Sequence, residues 1–280
     1  MIEIIKVENK DQEREFVMFP FSLYKGCDYW VPPIISEELE SMDKEKNPVF
    51  ENAEAEFYIA KKDGVTVGRI AAMVNWVEIE EQKKNKLRFG WYDTIDDLEV
   101  SKKLLESVIE FGKKRKLEFV DGPVGFSNMD KAGLLIEGYE ELNTMITWYH
   151  YPYQKEHLKK LGFSKLAEWV EYKIKIFSAE DAPEKVKKFS KIIQQRYELK
   201  VLNFKSRKEI IPYVDKMFEL LNVTYSNLQT YVTIKQYQID FYKEKFIKYI
   251  HPDFIKCCLD KDHNLIAFLI TMPSFSRALK

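Results

Sequence analysis

Apolar positions change their spacing several times along the chain, and each change marks an element. Residues 2–7, IEIIKV, read as a strand. Phe16, Val17, Phe19, Phe21 and Leu23 then recur at helical spacing within 11–26, with Pro20 expected to end or bend that helix. YWVPPIISEELESM is a Pro-punctuated loop leading into an acidic short helix. In 55–76, two runs rich in aromatic and β-branched residues flank KKDG, and Asp-Gly is a hairpin turn signal. LRFGWYD is the next strand. LEVSKKLLESVIEFGKKRK follows as a helix with Leu98, Leu104, Leu105, Val108, Ile109 and Phe111 on or near one face. EFVDGPV (118–124) is a strand ending in Gly-Pro, and GFSNMDKAGLLIEGYEELN a long loop before the strand-like TMITWY. YPYQKEHLKKLGF is a short helix capped at Gly162, and AEWVEYKIKIF alternates as a half-buried antiparallel strand does.

SAEDAPEK (178–185) interrupts the pattern with small, acidic and Pro residues, as a domain boundary does. Beyond it come a helix at EKVKKFSKIIQQRY, a strand at LKVLNF, helices around 208–222 and 233–250, and a second hairpin over 253–272. The order repeats the start of the first half in architecture, not in residues. The fold class is therefore α/β (mixed α+β).

Charged residues make up 32% of the chain, yet the net charge is −1, which argues against a nucleic-acid partner. Hydrophobic residues reach 45% and aromatics 14%, enough for packed cores. Cys27, Cys257 and Cys258 are too few and too poorly spaced for a disulfide scaffold or zinc site, and the four histidines form no metal spacing. The N-terminus lacks a signal-peptide pattern and no stretch has the length of a membrane span, so a cytoplasmic protein is expected.

HLKKLGFSKLAEWVEYKI resembles the close of a GNAT acetyltransferase domain, and FPFSLYKGCDYWVPP, RFGWYD and GPVGFSNMDKAG are similar to segments of bacterial tandem-GNAT proteins of poorly assigned function. The resemblance implies a complete GNAT-like domain in 1–178, with a central mixed sheet flanked by helices, and an incomplete second one in 179–280. It implies acetyl-CoA or another acyl-CoA as cosubstrate and an amine acceptor, hence an N-acyltransferase. A non-catalytic ligand-binding or structural module is the alternative.

The family grips the coenzyme pyrophosphate with a glycine loop at the turn into the long helix. Here that turn is WYDTIDDLEV, without glycine and with Asp96 and Asp97 beside the expected anion. The plain expectation is a helix cap, Asp96 with Glu99 three residues on. The family tyrosine of the short helix is replaced by Leu158, leaving His157, Tyr149, Tyr151 and Tyr153 nearby.

By the same resemblance GPVGFSNMDKAG would be the substrate loop, contributing Gly125, Phe126, Asn128 and Lys131, with Asp130 or a water as proton acceptor and Tyr151 as acid; the alternative is a turn-rich connection that uses Gly, Asn and Asp for their backbone freedom. Trp91, Tyr92 and Tyr149 would line the same cleft. In the second domain the final strand would lie exposed, a route to self-association into a homo-oligomer.

Overall fold

β1 (Ile2–Lys6) pairs antiparallel with β2 (Ala53–Lys62), which turns at Asp63–Gly64 into β3 (Val65–Asn75). The two runs around KKDG thus form the hairpin that their residue types predict. β3 pairs antiparallel with β4 (Lys86–Thr94), and β4 runs parallel to the short β5 (Phe119–Asp121). The sheet order is β1-β2-β3-β4-β5. Two helices, α1 (Lys10–Leu23) and α2 (Ile35–Met42), lie between β1 and β2 in the chain, and α3 (Trp76–Glu80) between β3 and β4. The crossover helix α4 (Leu98–Lys114) joins β4 to β5. α5 (Pro152–Lys160) follows the long loop and ends just before Gly162.

This computed structural model describes residues 1–175, 178, 180–246 and 249–280. They form two compact units: Met1–Glu168 with the returning segments Gln229–Val232 and Ser274–Lys280, and Trp169–Leu228 with Thr233–Pro273.

The first unit buries both faces of its sheet. On one face Ile70, Ala72, Val74, Leu87, Phe89 and Tyr92 pack with Val100, Leu104, Leu105, Val108 and Phe111 of α4. On the other, Phe57, Ile59, Ala71, Met73 and Trp91 pack with Phe16, Val17 and Met42. The period of two along β3 divides its side chains between these cores. Each fully buried aliphatic or Phe side chain contributes roughly 1.5–3 kcal/mol.

In the second unit, α6 (Glu184–Arg196) is followed by β6 (Lys200–Asn203), α7 (Arg207–Tyr225) and α8 (Gln236–Phe246). The hairpin β7 (Ile255–Leu259) and β8 (Leu265–Ile270) completes a sheet ordered β6-β7-β8. Phe204, Ile210, Val214, Met217, Ile255 and Cys257 form its core. A short α9 (Ser276–Leu279) lies in the first unit's last segment.

Three expectations change. α1 runs through Pro20 to Leu23. Proline has no N–H, so the Phe16 carbonyl loses its helical donor; Arg69 Nη1 donates to it instead, at 3.1 Å. TMITWY is not a strand, because Asn143, Thr144 and Thr147 tie it into a local turn: Asn143 Nδ2 donates to Thr147 O (3.1 Å) and Thr147 Oγ1 to Asn143 Oδ1 (2.6 Å). Among the described residues the alternating run 167–175 has no strand partner, and Trp169, Val170, Tyr172 and Ile174 are exposed; residues 176 and 177 of that run lie outside the described residues.

Candidate active site

The pairing of β3 with β4 slips near its end: Ala71 faces Gly90, but Arg69 faces Asp93. β4 therefore carries one extra residue, a bulge, with Trp91 at φ +48°. The bulge sends adjacent side chains to opposite faces. Trp91 enters the α1/α2 core and its Nε1 donates to Glu38 Oε2 at 2.6 Å. Tyr92 enters the α4 core and its hydroxyl donates to Ser101 Oγ at 2.8 Å. The two aromatics expected to share one cleft do not share it. Glycine at 90 is dictated by close approach: a Cβ there would sit 2.4 Å from the Val124 carbonyl oxygen.

Where β4 ends, Asp93 anchors a buried polar cluster. Its Oδ2 accepts from Arg69 Nε at 2.8 Å, and its Oδ1 from the Tyr24 hydroxyl at 2.7 Å. Burial, then the Asp93 charge, raise the Tyr24 hydroxyl well above its ordinary range. The cluster borders a cavity of about 20 Å³, room for roughly one water. Trp30, Trp148, Tyr149, Glu38 and Lys131 complete the wall that matters chemically. Glu38 Oε1 stands 4.0 Å from Lys131 Nζ. Both Asp93 oxygens are taken, so Glu38 presents the carboxylate oxygen with the loosest partner.

Behind this wall lies His150, 1% exposed, whose Nδ1 accepts from the Leu135 amide at 3.3 Å. Burial pushes its imidazole down from 6.5 to about 4, opposed by Asp93 and reinforced by Arg69. The unfolded chain takes up this proton at its ordinary value and the folded chain resists it. Stability that is full above pH 6.5 is therefore lost as pH falls toward 4. Urea midpoints between pH 7 and 4 should fall less steeply for His150→Gln than for the parent.

The residues expected from sequence divide. Lys131 and Tyr149 line the cavity. Phe126 is core, 5.2 Å from Phe50 and 6.0 Å from Trp91 between ring centres. Gly125 packs against Asp130, and its carbonyl accepts from Arg88 Nη1 at 3.1 Å. Asp130 Oδ2 accepts from the Ser127 amide (2.9 Å) and hydroxyl (3.3 Å), bracing its own loop, and burial raises its carboxyl. Asn128 Oδ1 accepts from the Val232 amide at 3.1 Å. Tyr151 caps α5 and stacks on Tyr153; burial, then Cys27, raise its hydroxyl. Tyr24, Glu38 and Arg69 escape sequence reading. Arg69 alone leaves a signal, a lone cation in the apolar run TVGRIAAM.

The turn into α4 is capped by Asp97, not by Asp96. Asp97 Oδ1 accepts from the Glu99 amide at 3.0 Å, and the Val100 and Ser101 amides bond to the Asp97 carbonyl. Lys62 Nζ pairs with Asp97 Oδ2 at 3.0 Å. Asp96 turns instead to His157, Oδ1 to Nε2 at 3.1 Å, and His157 Nδ1 meets the buried Ser101 Oγ at 2.9 Å. The Ile95 and Asp97 amides are bonded to Val67 O and Ile95 O. Few amides are left for an anion, and two carboxylates stand where it would sit, so this turn does not fit the pyrophosphate of coenzyme A. Asp97→Ala should cost about 1 kcal/mol of stability through the lost cap, measurable by urea denaturation.

The chain is 26% identical over 275 residues to Protein YghO of Escherichia coli (strain K12), across 97% of this chain and 68% of that protein. It is 23% identical over 174 residues to Bacterial ceramide synthase of Caulobacter vibrioides, across 61% of this chain and 45% of that protein. It thus spans about two thirds of the first relative's length and less than half of the second's. A solved tandem GNAT protein from the clavulanic acid biosynthesis pathway aligns with 98% of this chain and 76% of its own, at 10% identity and a TM-score of 0.45. No protein-family profile matches. With four antiparallel strands, a crossover helix and a fifth strand parallel to β4, the first unit has the fold of the GNAT acetyltransferases, the family that this chain resembles.

Proposed function

We propose that the chain is an N-acyltransferase that moves an acyl group from a thioester to an amine. The observation that carries this reading is the cavity at the end of β4, where Glu38 offers a carboxylate oxygen beside an aromatic wall. An amine attacking a thioester must lose a proton, and a carboxylate within reach of the nitrogen can take it. Glu38 is assigned that role in preference to Asp130, whose carboxylate is engaged with Ser127. Tyr149 and Lys131, at the same wall, would contact substrate.

The curated relative named a ceramide synthase supports the same chemistry. A ceramide is an amide of a fatty acid and a long-chain amino alcohol, so the amine and acyl group proposed here are of the long-chain, lipid class. No helix among the described residues is long and apolar enough to cross a membrane. Trp30, Trp148 and Tyr149 give the cavity an aromatic wall, and an alkyl chain would need them to part, since the space between them holds roughly one water.

The cavity's small volume favours a second reading, a non-catalytic module closed around its own side chains. One experiment separates them. The chain is incubated with acetyl and palmitoyl thioesters and with short and long-chain amines, and amides are sought by mass spectrometry. N-acyl product dependent on protein, with palmitoyl preferred over acetyl, supports transfer to a lipid amine. Absence of amide with every pair supports the non-catalytic reading.

A further inference from the structure

We propose, resting on the acyl-transfer reading, that the donor is recognised by its acyl and pantetheine end alone, so that the substrate class is a thioester whose nucleotide contributes nothing. In open α/β sheets, phosphates bind where a strand turns into a helix at the strands' carboxyl ends, because the first turn offers free amides and a positive dipole. The β4–α4 turn has that position, yet the protein has already used it. The amides of Ile95, Asp97, Glu99, Val100 and Ser101 all bond within the chain. Asp97 supplies the negative charge that the helix end attracts, and Lys62 pairs with Asp97 at 3.0 Å. Asp96 is held at the same mouth by His157, its side chain still 70% exposed. The Tyr153 hydroxyl donates to the Thr94 carbonyl at 2.6 Å, tying α5 across the turn.

A diphosphate would therefore meet two carboxylates and a turn in which most amides are already bonded within the chain. Opening the turn would cost the cap, the Lys62 pair and the His157 contact together. A pantetheine arm carries no such charge and makes no demand on this turn. What remains to hold the donor is the thioester and its acyl chain, near the aromatic cavity beyond β4.

The reaction needs no nucleotide. The amine nitrogen bonds to the thioester carbonyl carbon and the C–S bond breaks. The proton leaves nitrogen for a carboxylate and is passed on to the departing thiolate, giving an amide and a free thiol.

The test compares palmitoyl-coenzyme A with palmitoyl-pantetheine on the same long-chain amine, reading kcat/KM for each, with free coenzyme A and free pantetheine as inhibitors. The two donors should agree within about threefold, and coenzyme A should inhibit no better than pantetheine. A preference of about 100-fold or more for the coenzyme A thioester, or inhibition by coenzyme A at far lower concentration than by pantetheine, would overturn the inference while leaving acyl transfer intact. Absence of amide from both donors would instead overturn acyl transfer itself, and this inference with it.

Discussion

Glutamine in place of Glu38 should slow amide formation by about 10²-fold or more, the typical worth of a positioned general base. The substitution keeps the shape of the site. Trp91 Nε1 now donates to Glu38 Oε2 at 2.6 Å, and a glutamine carbonyl oxygen can accept the same bond. Lost are the charge toward Lys131 and the capacity to take a proton from an incoming amine. The effect should therefore appear in kcat with little change in the concentration of thioester needed, and thermal unfolding should be nearly unchanged. Asp130→Asn offers the contrast. Its carboxylate braces the 127–130 turn, so that change should act on stability before it acts on catalysis. Full activity in Glu38→Gln would remove this residue from the chemistry.

The second large effect lies in a buried ionic network that no reaction uses. Glu78 of α3 is fully buried and accepts from Arg88 Nε and Nη2, both at 2.7 Å. Lys86 reaches Asp121 at 2.7 Å and Glu78 at 3.3 Å. Two cations and two anions cancel. Arg88 Nη2 also donates to the Thr230 carbonyl at 2.7 Å, and Gln82 Nε2 to the Tyr231 carbonyl at 3.2 Å, so the network fixes the returning segment Gln229–Val232. Glu78→Ala leaves an uncompensated buried cation. It should cost about 3–5 kcal/mol in urea denaturation at neutral pH. Amide hydrogen exchange at 229–232 should rise in the same variant. Replacing Glu78 and Arg88 together by leucine should recover part of the loss, because the desolvated charges go as a pair. A cost below about 1 kcal/mol for Glu78→Ala would mean that water reaches the network.

Local pattern makes the fold of the first unit legible. The alternation of β2 and β3 around Asp63–Gly64, and the helical spacing of Val100, Leu104, Val108 and Phe111, each depend on neighbours in the chain. Elements that need distant partners are not legible in this way. The run 167–175 has strand residues but no strand pairs with it among the described residues, while TMITWY has strand residues whose hydroxyls, with the Asn143 amide, close a turn first. Pro20 interrupts nothing because Arg69, 49 residues later in sequence, supplies the missing donor.

The site follows the same rule. Lys131 and Tyr149, which line the cavity, lie in glycine-rich and aromatic segments of the kind that mark loops and walls. Glu38 sits in a short acidic helix whose neighbours are also acidic, and only the bulge that turns Trp91 toward it singles it out. Asp96 and Asp97 are adjacent carboxylates with equal claims to the cap, and the contact of His157 with Asp96 decides between them.

A palmitoyl thioester labelled with carbon-13 at its carbonyl, mixed with protein and a long-chain amine, shows by carbon NMR whether this chain forms an amide bond. The thioester carbon signal should be replaced by an amide carbon signal, in step with consumption of the amine and dependent on Glu38. A thioester signal that persists, or that gives way only to free carboxylate, would contradict acyl transfer to the amine.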